Sequence, residues 1–461
     1  MESNSNARVF IPHADRVLSE ALSRGGDYAD IFVENTTVHS LELQDRLVSQ
    51  TQQSLVYGAG IRVIKDFCTG YAYTMDLSLP SLLNAARFAS TVGDANVVPV
   101  FPELSRPMEM PVLEDQFSVQ VIKEKLLRLD EWVRNRDERV VRVKAAVSTR
   151  DQQVLLANSL GQQYTEYRPR TSVFVRVVME QGGQSQMGYA TLSLQQEIQG
   201  LTDETLIRLA ETAVERTAFL FDAIQPEGGE MPVVMAPGAS GILMHEAIGH
   251  AFEADFNRVG TSIFSGRVGE RICRPEVTIV DDGTIAGDVG CLRWDDEGVS
   301  GQRTVLVDKG VLNSYMHDRI SAKYYGVEPT GNGRRESFRH APQPRMRSTY
   351  MLAGETDPSD IIGSVKKGIY AEVFTNGQVQ IGAGDFTFYM KQGYLIENGK
   401  LTQPIRDVNV IGNGPNALAN ISMVGNDLKI DHSASMCGKG GQSVPVSQGL
   451  PTVLVDKLVV G

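Results

Sequence analysis

Two imidazoles and a carboxylate fall within six residues, in His245-Glu246-Ala247-Ile248-Gly249-His250. Neutral imidazoles hold a metal ion, and a carboxylate beside it can take a proton from an attacking water. That is the inventory of a zinc hydrolase. The spacing differs from H-E-x-x-H, whose histidines stand four apart on one helical face. Here five steps place the second imidazole roughly 140° from the first on a straight α-helix. Convergence on one ion therefore needs a π-type turn, with i→i+5 bonding, or a break at Gly249. The competing reading is a pair of ordinary polar residues on a surface helix.

A catalytic zinc takes three protein ligands and keeps one position open. Spacing alone leaves three candidates for the third. Glu253 lies one turn past His250 and could reach the metal or the imidazole that holds it. Glu270 lies twenty residues beyond His250. Cys437 sits among small residues in Ser433–Pro445, where backbone can approach a site closely. Lys439 beside it would favour the metal-binding thiolate. The plain alternative for Cys437 is a buried structural cysteine.

Asp255, like Glu253, could hold the free N–H of a ligating imidazole, or be a solvent-facing helix charge. The run Gly331–Glu336 is glycine-rich and basic and suggests an anion-binding loop, but it lacks the phosphate-loop and dinucleotide patterns. Arg335 or Arg345 could bind a substrate carboxylate or stabilise an oxyanion. A structural ion pair is the simpler role for either. His317, His340 and His432 read as structural histidines.

Three segments, Met244–Asn257, Gly331–Met351 and Cys437–Pro445, together resemble the TldD/PmbA family, and the resemblance spans nearly the whole chain. The motif marks the TldD-type subunit, since the PmbA (or TldE) type lacks it. The resemblance implies a zinc metallopeptidase with His245, His250 and Cys437 as ligands of Zn2+ and Glu246 as general base. It implies short or unfolded peptides as substrates. It also implies a dimer, of this chain or with a PmbA/TldE-type subunit. The family was once linked by name to DNA gyrase modulation. The alternative function is therefore a regulatory or scaffold protein whose metal serves structure only.

Composition bounds these readings. The 461 residues can build two or three domains with sizeable cores. A net charge of −12 argues against broad nucleic-acid binding, which needs a basic surface. No apolar run approaches the roughly 18 to 20 residues of a membrane span, and the first residues are polar, without an apolar signal core. Four scattered cysteines indicate no disulfide framework. The expectation is a reduced, cytoplasmic protein.

The elements that must position the motif can be read from periodicity. Helices are expected near 12–24, 76–91, 118–135 and 203–221. Strand-like segments lie between them, including Ala29–Val33 and His39–Leu43 as separate strands. This predicts an α+β fold, with an N-terminal α+β domain over 1–228. Its two halves both run helix, strands, helix, as a duplication would. The proline-rich stretch 93–115 reads as a crossing linker and a sub-boundary between the halves. Over 229–461, glycine turns at 281–283, 308–310, 375–377 and 397–399 separate short strands. They predict a largely antiparallel β domain with the motif helix laid against it.

Overall fold

The computed structural model describes residues 9–11, 13–93, 108–110 and 117–461. Its N-terminal part is one antiparallel six-stranded sheet. The strand order is Cys68–Thr74, Leu47–Lys65, Tyr28–Gln44, Val140–Asn158, Gln163–Gln181 and Gln184–Leu194. Each half runs helix, three strands, helix, and the halves join where Tyr28–Gln44 pairs with Val140–Asn158. Helices Ala14–Leu22 and Leu79–Ala89 bury Val17, Leu18, Leu82 and Ala86 against Ile31, Ile61 and Val63. Helices Val119–Arg136 and Asp203–Asp222 do the same for the second half, with Leu126, Leu129 and Ala213 on Val147 and Val175. Apolar residues recur at helical spacing in the helices and at every second position in the strands, so each presents one face to a shared core.

Two sequence expectations are corrected here. Ala29–Val33 and His39–Leu43 belong to a single strand, Tyr28–Gln44. The polar run between them looked like a break. Its Glu34 is instead buried, held by Arg150 at 3.0 Å, Gln152 at 2.9 Å and the backbone N–H of Phe338 at 2.9 Å. Most of the linker at 93–115 lies outside the described residues, but Met108–Met110 is a strand paired with Val9–Ile11.

The C-terminal part has two larger sheets. In one, five strands close into a ring: Lys367–Val379, Gly229–Met235, Val453–Val460, Val408–Asn413 and Asp385–Glu397. Val233, Ile369, Phe388, Val410 and Val455 fill the core beneath it. The second sheet has six strands, among them Ile279–Asp282, Ser348–Met351 and Ser447–Leu450. The motif segment lies between the two sheets, and its Leu243, Met244 and Ile248 share the ring's core.

The turns at 308–310 and 397–399 connect hairpins, with Asn398 and Gly399 at φ 51° and 76°. The expected turn at Thr375-Asn376-Gly377 is instead inside a strand, with irregular register around it. There the glycine answers to packing, since a Cβ at Gly377 would meet the Phe388 ring at 2.6 Å.

The parts meet across a buried ionic seam. Arg62 bridges Asp30 of its own sheet and Glu297 of the C-terminal part, each at 2.5 Å, with all three side chains fully buried. Arg168 adds Asp296 at 2.6 Å. Fully buried charges persist only when paired in this way.

Candidate metal centre

The chain enters the motif through a single 3-10 turn, Ala239–Gly241, and then adopts π-helical geometry over Leu243–Gly249. The N–H of His250 donates to the carbonyl of His245, the i→i+5 bond of a π-turn. A second 3-10 turn, His250–Phe252, follows. The departure from α geometry required by the 140° mismatch is therefore built into the backbone. Gly249 allows it to pack, because a Cβ there would meet Met346 Sδ at 2.1 Å. The two rings lie edge to face with centroids 5.0 Å apart.

Cys437 comes from the short strand Met436–Lys439, paired with Gln442–Pro445. Gly440 and Gly441 make the turn, at φ 56° and 74°, values that suit glycine. What reads in sequence as a small-residue loop is thus a tight hairpin. It carries the Cys437 Sγ to 3.4 Å from His250 Nε2. The donor atoms of His245, His250 and Cys437 all lie within 4.8 Å of one another, and all three residues are buried. They form the one such group of three among the described residues.

The surroundings fix these side chains. Glu253, fully buried, places Oε2 2.9 Å from His250 Nδ1 and 3.2 Å from Lys439 Nζ. Lys439 also reaches Asp255 at 2.8 Å, tying the hairpin to the segment after the motif. Arg345 donates to the carbonyl of Cys437, and to that of Gln442 at 3.4 Å. Burial alone would raise the carboxyl of Glu253, but Lys439, His250 and Arg345 hold it at about 2. Burial likewise pushes the Cys437 thiol up, and the two imidazoles overcome this and bring it down to about 5. The sequence expectation that Lys439 stabilises the thiolate is corrected. Lys439 is engaged by Glu253 and Asp255, and the histidines supply the effect.

The remaining candidates fall elsewhere. Glu270 pairs with Arg267 at 2.8 Å on the surface and is not in the donor group. Arg335 is in the interdomain seam, on the Asp296 carbonyl at 2.8 Å and Asp30 at 3.4 Å. The Gly331–Glu336 loop is no free anion cradle, because Asp295 and Asp296 already accept from the N–H groups of Gly333 and Arg335. Arg345 braces the hairpin and is fully buried, on the Cys437 and Gln442 carbonyls and 4.0 Å from Glu253, in keeping with the structural role and not with the substrate-binding alternative. His317 is buried among Tyr315 and Tyr325, which lowers it to about 4. His340 faces Ser337 at 3.2 Å, and His432 faces Asp288 at 3.4 Å.

A cleft of about 630 Å³ opens at His245 and Glu246. Its far wall includes Met187, Tyr189 and Arg216 of the N-terminal part, facing Phe374 and Asn376 of the ring. Periodicity and spacing gave no sign that the N-terminal sheet contributes to this cleft.

Comparison with known proteins agrees with this geometry. Family models describing domain 1, the central domain and the C-terminal domain of PmbA/TldA metallopeptidases match residues 29–92, 113–218 and 228–461. The metalloprotease TldD homolog of Haemophilus influenzae is 37% identical over 457 residues, 95% of this chain and 93% of that protein. The chain belongs to the TldD/PmbA family of metallopeptidases.

A Buchnera aphidicola (Schizaphis graminum) relative, also named a metalloprotease TldD homolog, is 35% identical over 94% of this chain and 92% of its own. The fold matches TldE from Thermococcus kodakarensis, with a TM-score of 0.76, 20% identity and coverage of 97% and 99% of the two chains. It also matches a Thermotoga maritima protein described as a proposed modulator of a DNA gyrase, with a TM-score of 0.77, 23% identity and the same coverage. The family resemblance and the α+β expectation are both met. The chain is a peptidase of this family. Among the described residues no helix is long and apolar enough to cross a membrane.

Proposed function

We propose that the chain is a zinc-dependent peptidase acting on short or unfolded peptides, with His245, His250 and Cys437 as ligands and Glu246 as general base. The observation that carries this is the convergence of three buried donors from separate parts of the chain beside an open cleft. The group fits zinc chemically, since imidazole and thiolate are its preferred ligands. It also fits electrostatically, because Nδ1 of buried His245 has no partner among the described residues. Zn2+ bound there would polarise the scissile carbonyl and lower the pKa of water to about 7.

The chain's own groups do the rest. Glu253 holds Nδ1–H of His250 and so leaves its Nε2 toward Cys437. Glu246, adjoining His245 in the cleft, takes the proton of the attacking water and returns it to the leaving amine. The cleft's two walls leave room for a peptide chain beside this point. A scaffold role with a purely structural metal needs neither Glu246 nor a cleft opening on the donors.

We further propose a cytoplasmic dimer, of this chain or with a PmbA/TldE-type subunit. Support comes from the family and from the likeness in fold to TldE. The deciding experiment compares zinc content and hydrolysis of an unstructured peptide in wild type and Glu246→Gln. Hydrolysis by both, or by neither with zinc present in both, would overturn the reading.

A further inference from the structure

Beside the hairpin that carries Cys437, the two domains line a second pocket of about 160 Å³ that is open to solvent. That is room for a small group and not for a peptide, a water's share of liquid being about 30 Å³. Met436, next in the chain to Cys437, lines both this cavity and the larger cleft. The smaller cavity is lined by five arginines, Arg150, Arg168, Arg170, Arg334 and Arg335.

Most of these guanidinium groups already have carboxylate partners: Arg168 meets Glu166 at 3.0 Å as well as Asp296, and Arg335 meets Asp30 at 3.4 Å. Asp296 and Glu336 face the cavity, but both are engaged. Asp296 accepts from Arg168 at 2.6 Å and from the N–H of Arg335 at 2.8 Å, and Glu336 accepts from the N–H of Ser443 at 2.6 Å. Arg150 pairs with Glu34 at 3.0 Å. Arg334 donates to the carbonyls of Met346 and Pro445, at 2.6 and 2.8 Å. Arg170, half-buried, has no oxygen acceptor among the described residues, and its one side-chain hydrogen bond, at the solvent-exposed side, goes to Met436 Sδ at 3.7 Å. It also stands directly opposite Arg150 across the sheet, where like charges repel. Burial, with Arg150 beside it, lowers the Arg170 guanidinium to about 10.

We propose that this cavity binds a carboxylate of the peptide substrate and that Arg170 is the residue that recognises it. The carboxylate supplies the oxygen acceptor that Arg170 lacks, and Met436, which lines both pockets, puts it beside the cleft that opens on His245 and Glu246. The inference rests on the peptidase reading. Two sources share the chemistry, a free C-terminus and an Asp or Glu side chain.

The test uses the full chain, zinc-loaded, in a Glu246→Gln background, and reads binding instead of turnover. Fluorescence anisotropy gives the affinity for one labelled unstructured peptide in four forms: free acid or amide at the C-terminus, each with Glu or Gln inside. Neutralising the recognised carboxylate should weaken binding about tenfold or more. The C-terminal or the side-chain arm will identify its source. Arg170→Gln should abolish the discrimination between the charged and the neutral peptides. Arg170→Lys should restore part of it.

Equal affinity for all four peptides, no binding of any, or discrimination that survives Arg170→Gln would overturn the proposal. So would a lower Tm for Arg170→Gln, which would mean that the fold already satisfies this guanidinium. Charge-dependent binding through Arg170 without hydrolysis by the wild type would keep this proposal and sink the peptidase reading instead.

Discussion

Nδ1 of His250 lies 2.9 Å from Oε2 of Glu253, and this pairing directs the opposite ring nitrogen toward Cys437 at 3.4 Å. The carboxylate comes three residues after the imidazole, from the point where the helical segment breaks. A ring on a one-turn 3-10 segment is thereby held by a buried anion that two cations, Lys439 and Arg345, keep charged.

Glu253→Gln should accordingly lower zinc affinity by about 10- to 100-fold without removing a ligand, the usual cost of losing a carboxylate behind a ligating histidine. Competition with a chelator of known affinity measures this. Unchanged affinity would show that the ring is oriented by packing alone.

Zinc itself should be present at about one per chain. His245→Ala and Cys437→Ser should each reduce occupancy sharply, as read by metal analysis after gel filtration. Full retention in Cys437→Ser would remove the thiolate from the ligand set.

Glu246→Gln should retain zinc and peptide affinity while turnover falls by about 10²- to 10⁴-fold, because it deletes a proton acceptor and not a ligand. Turnover near that of wild type would refute the assigned base. Chelation should abolish wild-type activity, and added Zn2+ should restore it.

The interdomain seam predicts a pH dependence of stability. Burial, with Glu297 nearby, pushes the carboxyl of Asp295 up to about 7 from an ordinary 3.8. An acid whose folded pKa is raised binds its proton more tightly in the folded state. Its contribution therefore falls as pH rises from about 4 to about 7 and is constant above that. Asp295→Asn cannot ionise, so its Tm relative to wild type should climb between pH 5 and 7 and level off beyond. A difference that stays flat over this range would show that Asp295 is ionised throughout.

What the sequence determined by itself was chemistry and local geometry. The residue types in His245–His250 point to metal-assisted hydrolysis, and the five-residue spacing requires a departure from α geometry, by a π-turn or a break at Gly249, since a helix's angle per residue is a local property; the structure takes the π-turn. Helices such as Val119–Arg136 and Asp203–Asp222 were legible for the same reason, through apolar spacing along one segment. Spacing could not choose among Glu253, Glu270 and Cys437, because ligand convergence depends on where distant segments pack. Only the motif resemblance favoured the cysteine.

The tertiary structure decided the rest. It brought the Cys437 hairpin 3.4 Å from His250 across 187 positions of sequence. It moved Arg335 into the seam and Arg345 onto the hairpin backbone, because a buried guanidinium goes where acceptors are. It kept Asn376-Gly377 in a strand, where sheet pairing overrides a local turn preference. It also made the N-terminal sheet one wall of the cleft. No periodicity encodes that placement, because it arises from two surfaces meeting and not from the order of residues along either one.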